Sequence, residues 1–192
     1  MSKQAIVIIN GKGGVGKDTL INAVMKSGVM VFNASSITPI KDMCDGLNKK
    51  DVKDLAYRNL LAKVKKAVDV YYEAENEISY TNEYLIKAMT LWHAQTQINK
   101  PEYSVLFVHI REPENIRSFI KEAHKKKATW NDKIYMTSLL VRSDRSLDTY
   151  GNPADDDLND YAYDFIYDSK GTIEEDGERF VKCFMAEIMS QA

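Results

Sequence analysis

The sequence predicts a three-layer α/β fold, a five-stranded parallel sheet covered by helices on both faces, and three observations carry that expectation. Short apolar runs bounded by turn formers alternate with longer segments whose apolar residues recur at helical spacing, the pattern of a parallel sheet with right-handed crossovers. The first run, Ala5-Ile6-Val7-Ile8-Ile9-Asn10, is almost wholly apolar, as a strand buried on both faces requires. It passes directly into Gly11-Lys12-Gly13-Gly14-Val15-Gly16-Lys17-Asp18-Thr19, and a helix-forming stretch follows from Leu20 to Lys26.

The elements are expected in this order. A strand over 4–10 leads to a helix from Gly16 to about Lys26, which Gly28 ends, and to a second strand over 29–32. Ser35-Ser36 then caps a helix through Lys41 and Met43. Asp51 caps a longer segment in which Leu55, Leu60, Leu61, Val64, Val68 and Tyr72 share one face. After Ser79 to Asn82, a helix over 83–97 turns Tyr84, Leu85, Ala88, Met89 and Trp92 inward. Residues 105–110 form the third strand, and Pro113 opens a helix to about Lys126 with Ile116, Phe119 and Ile120 facing the sheet. The fourth strand covers 134–141 and the fifth 163–167. Between them, 142–160 is charged and rich in turn formers, hence a loop or lid. A closing helix over 172–190 packs Phe180, Cys183, Phe184 and Ile188 inward. This gives one domain over 1–192, with a core of 1–34, 101–142 and 161–192, a helical insertion at 35–100 and a lid at about 142–160.

Composition narrows the partners. At 192 residues, 44% hydrophobic and 28% charged, the chain suits one soluble α/β domain with a sizeable core. A formal charge of −2 provides no overall attraction to nucleic acid or acidic membranes, and Lys125-Lys126-Lys127 reads as a solvated helix face. Cys44 and Cys183 lack metal-like spacing and read as reduced thiols. No apolar run approaches the roughly 18 residues of a membrane span, and the chain enters a strand where a signal peptide would lie. A cytoplasmic monomer or homodimer is expected.

The glycine-rich turn satisfies three patterns. Gly11, Gly13 and Gly16 fit a dinucleotide loop, but the second strand runs into Asn33 where that fold needs an acid for the ribose. Gly11, Gly16 and Lys17 fit the phosphate loop G-x-x-x-x-G-K-[ST], with Asp18 in place of the hydroxyl. Such a loop turns backbone N–H groups inward, adds the positive end of a helix, and brings a lysine to the outer phosphates of a nucleoside triphosphate. Lys12 also fits the deviant lysine loop of the partition and septum-site ATPases, which the stretch Lys12–Thr19 resembles.

The ending Gly16-Lys17-Asp18-Thr19 resembles the loop of phage-type deoxynucleoside monophosphate kinases, and its G-K-D is similar to that of animal-type phosphomevalonate kinases. Val108-His109-Ile110-Arg111-Glu112-Pro113-Glu114-Asn115-Ile116 resembles the aspartate-x-arginine segment of the first family, with His109 at the position of the aspartate. Tyr163 to Gly171 is similar to the element near the adenine in those kinases and in dephospho-coenzyme A kinases. These pieces cover about a third of the chain. The resemblance implies that ATP binds at Gly11 to Thr19, with the N–H groups of Gly13 to Lys17 on the β-phosphate and Lys17 reaching the γ-phosphate. It also implies Mg2+ at Asp18 and Thr19.

Phosphoryl transfer needs cations beyond Lys17. Arg111 directly follows the third strand, Arg142 and Arg145 follow the fourth, and these three with Lys17 form the expected catalytic set. Arg58, in the insertion, is the expected substrate residue, with a bridge to Asp54 one turn earlier as its alternative. Ser35, Ser36, Lys41 and Lys65 are further candidates for an acceptor phosphate, and Tyr57, Tyr71, Tyr72 or Tyr80 for a base, although tyrosines at helical spacing more often pack in a core. Arg117 reads as surface, Asp155-Asp156-Asp157 as a solvated charge run, and His109 as a hydrogen-bonded core residue. The expected activity is transfer of the γ-phosphoryl of ATP to a small acceptor, a (deoxy)nucleoside monophosphate. A kinase of a non-nucleotide metabolite, a partition-type ATPase and a nucleotide sensor without turnover stand as alternatives.

Overall fold

The computed structural model describes residues 2–47, 55–130, 132–143 and 157–192. The apolar run near the start becomes β1 (Lys3–Asn10), and the sheet is built around it. Parallel pairing runs from Lys3↔Tyr103 to Ile9↔His109 on one side and from Gln4↔Ile134 to Asn10↔Leu140 on the other. The neighbours are β3 (Tyr103–His109) and β4 (Ile134–Ser143), while β2 (Met30–Ser35) and β5 (Phe165–Ser169) form the edges. The strand order is β2-β3-β1-β4-β5, and the sheet is five-stranded and parallel throughout, as the sequence predicts.

Because side chains alternate across a strand, β1 supplies two cores. Ala5, Val7 and Ile9 face a layer made by α1 (Lys17–Lys26), α6 (Ile173–Cys183) and the π-helical turn Phe184–Met189, through Leu20, Ile21, Val24, Phe180, Phe184 and Ile188. Ile6 and Ile8 face α4 (Tyr80–Asn99) and α5 (Pro113–Lys127), through Leu85, Met89, Trp92, Ile116 and Phe119. Burying each such side chain contributes on the order of 1.5–3 kcal/mol. A third, smaller cluster joins Ile40 and Cys44 of α2 (Thr38–Cys44) to Leu61 of α3 (Leu55–Asn76). Cys44 and Cys183 are both free thiols. None of the described helices is long and apolar enough to cross a membrane.

Several boundaries differ from the expected ones. β2 continues through Asn33 and Ala34 to Ser35, because pairing with Phe107, Val108 and His109 sustains it past the apolar stretch. Ser35 and Ser36 therefore do not cap α2; its N-cap is Ile37, and Pro39 occupies the first turn. Ser79 caps α4 by accepting from the Asn82 N–H, so that helix starts three residues before Glu83. β3 begins at Tyr103 and β5 lies two residues later than expected. The closing helix widens into its π turn at Phe184, and Thr172 caps it with Glu175 in a capping box. β4 extends to Ser143, which places Arg142 on the strand instead of after it. Asp51, Asp54, Arg145, Asp155, Asp156 and most of the expected lid lie outside the described residues.

Candidate functional site

All five strands point the same way, so the loop after β1 and the ends of β2 and β3 meet at one edge of the sheet. The chain leaves β1 for the α1 face and leaves β3 for the α5 face. The crevice between them opens over the glycine-rich loop. Gly11 takes φ +146, and a Cβ there would lie 2.5 Å from the Val141 carbonyl oxygen, so β4 leaves room for hydrogen alone. Gly16, at φ 89, is the N-cap of α1 and contributes no side-chain cap. The helix thus presents its N-terminal end to the loop instead of to a capping side chain, as an anion site requires. The Lys17 ammonium arches over the turn and donates to the carbonyls of Gly11 (2.6 Å) and Lys12 (2.9 Å). Lys12, Asp18 and Thr19 are exposed, and Val15 is buried beneath the loop.

Asn10, buried at the end of β1, locks this edge together. Its Oδ1 accepts from the Gly11 N–H at 2.8 Å, and its Nδ2 donates to the Arg111 carbonyl at 3.0 Å and the Tyr163 hydroxyl at 2.6 Å. Asp164 extends the clamp by accepting from the Ser138 N–H and hydroxyl, both at 2.8 Å. One carboxamide so sets the entry to the phosphate loop, the turn carrying Arg111, and the chain returning from 157–160. The sequence offers no motif for it.

A cleft of about 410 Å³ adjoins the loop, lined by Gly13, Gly14, Lys17 and Asp18, by the β2–α2 turn with Ser35, Ser36 and Lys41, by Tyr57, Arg58 and Lys65 of α3, and by His109, Arg111 and Glu112. Every acceptor-phosphate candidate, Ser35, Ser36, Lys41, Arg58 and Lys65, lies on this wall. Arg58 reaches the phosphate loop: a Cβ on Gly13 would meet its Nη1 at 3.4 Å and Nη2 at 3.9 Å. Lys65 serves a different purpose from the other cations. It is buried, pairs with Asp69 at 3.0 Å and approaches Glu112 at 3.6 Å, while Asp69 also accepts from the Thr81 N–H and hydroxyl, both at 2.9 Å. This network ties α3 to α4 and to the β3–α5 turn. Lys65 is balanced by Asp69, and Lys17, Lys41, Arg58 and Arg111 also line the cleft.

His109 is not the hydrogen-bonded core residue its strand suggests. It ends β3 on the cleft wall, and its Nε2 is buried without a hydrogen-bond partner among the described residues. Burial holds the imidazole down at about 4, with Lys17 and Arg111 pushing the same way against Asp18, so the ring is neutral. Arg142 is exposed on β4 and does not line the cleft. Arg117 reaches the Asp160 carbonyl at 3.3 Å and lies over Tyr161. Of the described tyrosines, only Tyr57 lines the cleft; Tyr72 bonds Glu83 and meets Tyr80 edge-on.

The candidate metal residues pass a test of fit. Among the described residues no three His, Cys, Asp or Glu side chains form a cluster able to hold a metal by themselves. Mg2+ beside a nucleotide takes most of its ligands from phosphates and water, with one or two carboxylates. Asp18, on the cleft wall in the first turn of α1, supplies such a carboxylate, with the Thr19 hydroxyl next to it in sequence.

No protein-family model matches the chain, and no curated protein matches it. Among solved structures it is similar to a mutant of the APS kinase CysC of Mycobacterium tuberculosis, at TM-score 0.42 and 15% identity over 95% of this chain and 97% of that one. It is similar to TT1252 of Thermus thermophilus at TM-score 0.46 and 15% identity, over 98% and 99%. A plasmid partition protein of Borrelia burgdorferi aligns at TM-score 0.36 and 14% identity, over 97% and 100%.

Proposed function

We propose that the protein is an ATP-dependent phosphotransferase whose acceptor is a small anion, a (deoxy)nucleoside monophosphate. One observation carries this reading: the phosphate loop lines a cleft that Lys41, Arg58 and Arg111 also line. A loop that only hydrolyses or senses a triphosphate has no need of a second set of cations from other elements. A kinase does, because donor and acceptor both carry negative charge and must lie in line.

In this reading the loop N–H groups and the α1 N-terminus hold the β-phosphate, and Lys17 exchanges its carbonyl partners at Gly11 and Lys12 for the β- and γ-phosphates. Arg58, laid beside Gly13, spans the boundary between donor and acceptor, and Arg111 approaches the same place from β3. Mg2+ bound with ATP near Asp18 and Thr19 neutralises charge on the phosphates. Asn10 holds the loop and Arg111 in fixed relation, so the cations need no rearrangement as charge develops. Arg142 and Arg145 remain candidates for the lid side, and a non-nucleotide metabolite is the alternative acceptor.

The test is incubation with magnesium-ATP and a panel of ribo- and deoxyribonucleoside monophosphates, with Lys17→Ala as control, following ADP and the phosphorylated acceptor together. Equal amounts of both, lost in Lys17→Ala, are expected. Hydrolysis at the same rate with and without acceptors would sink the kinase reading in favour of a partition-type ATPase.

A further inference from the structure

The cleft carries a charge of the wrong sign for a site that only grips phosphate. Among the described residues that line it, Asp18 and Glu112 are the carboxylates, and Asp18 belongs to the first turn of α1 beside the glycine loop. Glu112 stands elsewhere, directly after Arg111, where the chain turns from β3 into α5. A carboxylate there weakens the pull of Lys41, Arg58 and Arg111 on any anion. Fold stability does not require it. Glu112 is the N-cap of α5 yet makes no side-chain cap. Lys65 already has Asp69 at 3.0 Å, and Glu112 lies farther off at 3.6 Å with its side chain 37% exposed, a pairing that contributes little.

The surroundings anchor the group by one end. Oε2 is held from two sides, by the Lys65 ammonium and by Asn115 Nδ2, which donates to it at 3.3 Å. Oε1 accepts no hydrogen bond from any described residue. A carboxylate fixed at one oxygen and open at the other, in the lining of a cleft, is an acceptor for a neutral donor on the ligand. That donor must lie close to the phosphate that the neighbouring Arg111 attracts. In a nucleoside monophosphate this part is the sugar, and the base lies beyond it. We propose that Glu112 Oε1 accepts a hydrogen bond from a sugar hydroxyl of the acceptor, so that the protein discriminates against nucleotides without 2′- and 3′-hydroxyls. This rests on the reading of the protein as a nucleoside monophosphate kinase. Acidic side chains hold ribose hydroxyls in dinucleotide sites by the same chemistry.

Initial rates of the whole protein with magnesium-ATP test this, using an accepted base as its ribonucleoside monophosphate and the 2′-deoxy, 3′-deoxy and 2′,3′-dideoxy counterparts. Wild type should use the dideoxy form about tenfold to a hundredfold less well in kcat/KM than the best hydroxylated form, the weight of a hydrogen bond to a charged group. Glu112→Ala should bring that ratio to within about threefold of unity, whatever happens to the absolute rates; a merely structural role would lower all the rates together. Glu112→Gln keeps the shape and drops the charge, and it should cut the ratio by about threefold or more, which decides the matter where the alanine variant does not fold. A wild type indifferent to the dideoxy form, or a ratio that the folded variants leave unchanged, overturns the proposal and leaves the kinase reading standing. Phosphorylation of no nucleoside monophosphate, whatever its base, overturns the acceptor reading and the proposal together.

Discussion

The two walls of the cleft are made from different materials. The loop wall is backbone: its shape comes from residues 11–16, one helix end and the room β4 leaves at Gly11, and Lys17 arches over it. The rest of the lining is side chain: Lys41, Arg58 and Arg111 come from three separate elements, and the buried Lys65–Asp69 pair bolts one of those elements to its neighbours. A backbone wall recognises what every nucleoside triphosphate shares. A side-chain wall can be redrawn one residue at a time, and acceptor choice belongs there.

That division can be broken by design. The largest effect is expected from Asp69→Ala, which strands the Lys65 ammonium in a buried place and costs about 3–5 kcal/mol of stability. Urea unfolding measures it, and a near-neutral result would mean that α3 is fastened to α4 by something other than this pair. Lys17→Ala should fold normally yet lower kcat by about 10²–10³; a drop confined to KM would show that the lysine only binds. Arg58→Ala should weaken the acceptor by about 1.5–3 kcal/mol, read as a raised acceptor KM with nucleotide affinity unchanged. Equal losses for both ligands would merge the two walls into one. Lys12→Ala, at an exposed side chain, should move stability and nucleotide affinity by no more than about 0.5 kcal/mol. If it instead abolished an ATP-dependent dimer seen by light scattering, the partition-type alternative would gain the ground that the kinase reading loses.

The same contrast explains what could be read in advance. The loop was legible because backbone conformation writes itself locally: glycines where φ turns positive, a lysine after them, a strand before and a helix behind. The strand and helix order followed from periodicity, and errors clustered at ends such as Asn33–Ser35, where pairing with β3 outweighs the polarity of the sequence. Lys41, Arg58 and Lys65 were visible as cations in the right insertion, but not that Asp69 holds Lys65 in a buried pair. Asn10 was illegible as a hub because two of its three partners, Arg111 and Tyr163, are far along the chain. His109 was misread because a histidine within an apolar run resembles a core residue until the strand end is placed at the cleft.

The position of β1 at the middle of the sheet sets a timetable for biosynthesis. The strand leaves the ribosome well before its partners, residues 103–109 and 134–140. At roughly 5–20 residues per second, β1 waits on the order of five to twenty seconds for the first of them. During that interval Ile6, Val7, Ile8 and Ile9, all fully buried in the finished protein, have no sheet to join. Such a segment is a natural client for a nascent-chain chaperone, and slow translation of the helical insertion would lengthen its exposure.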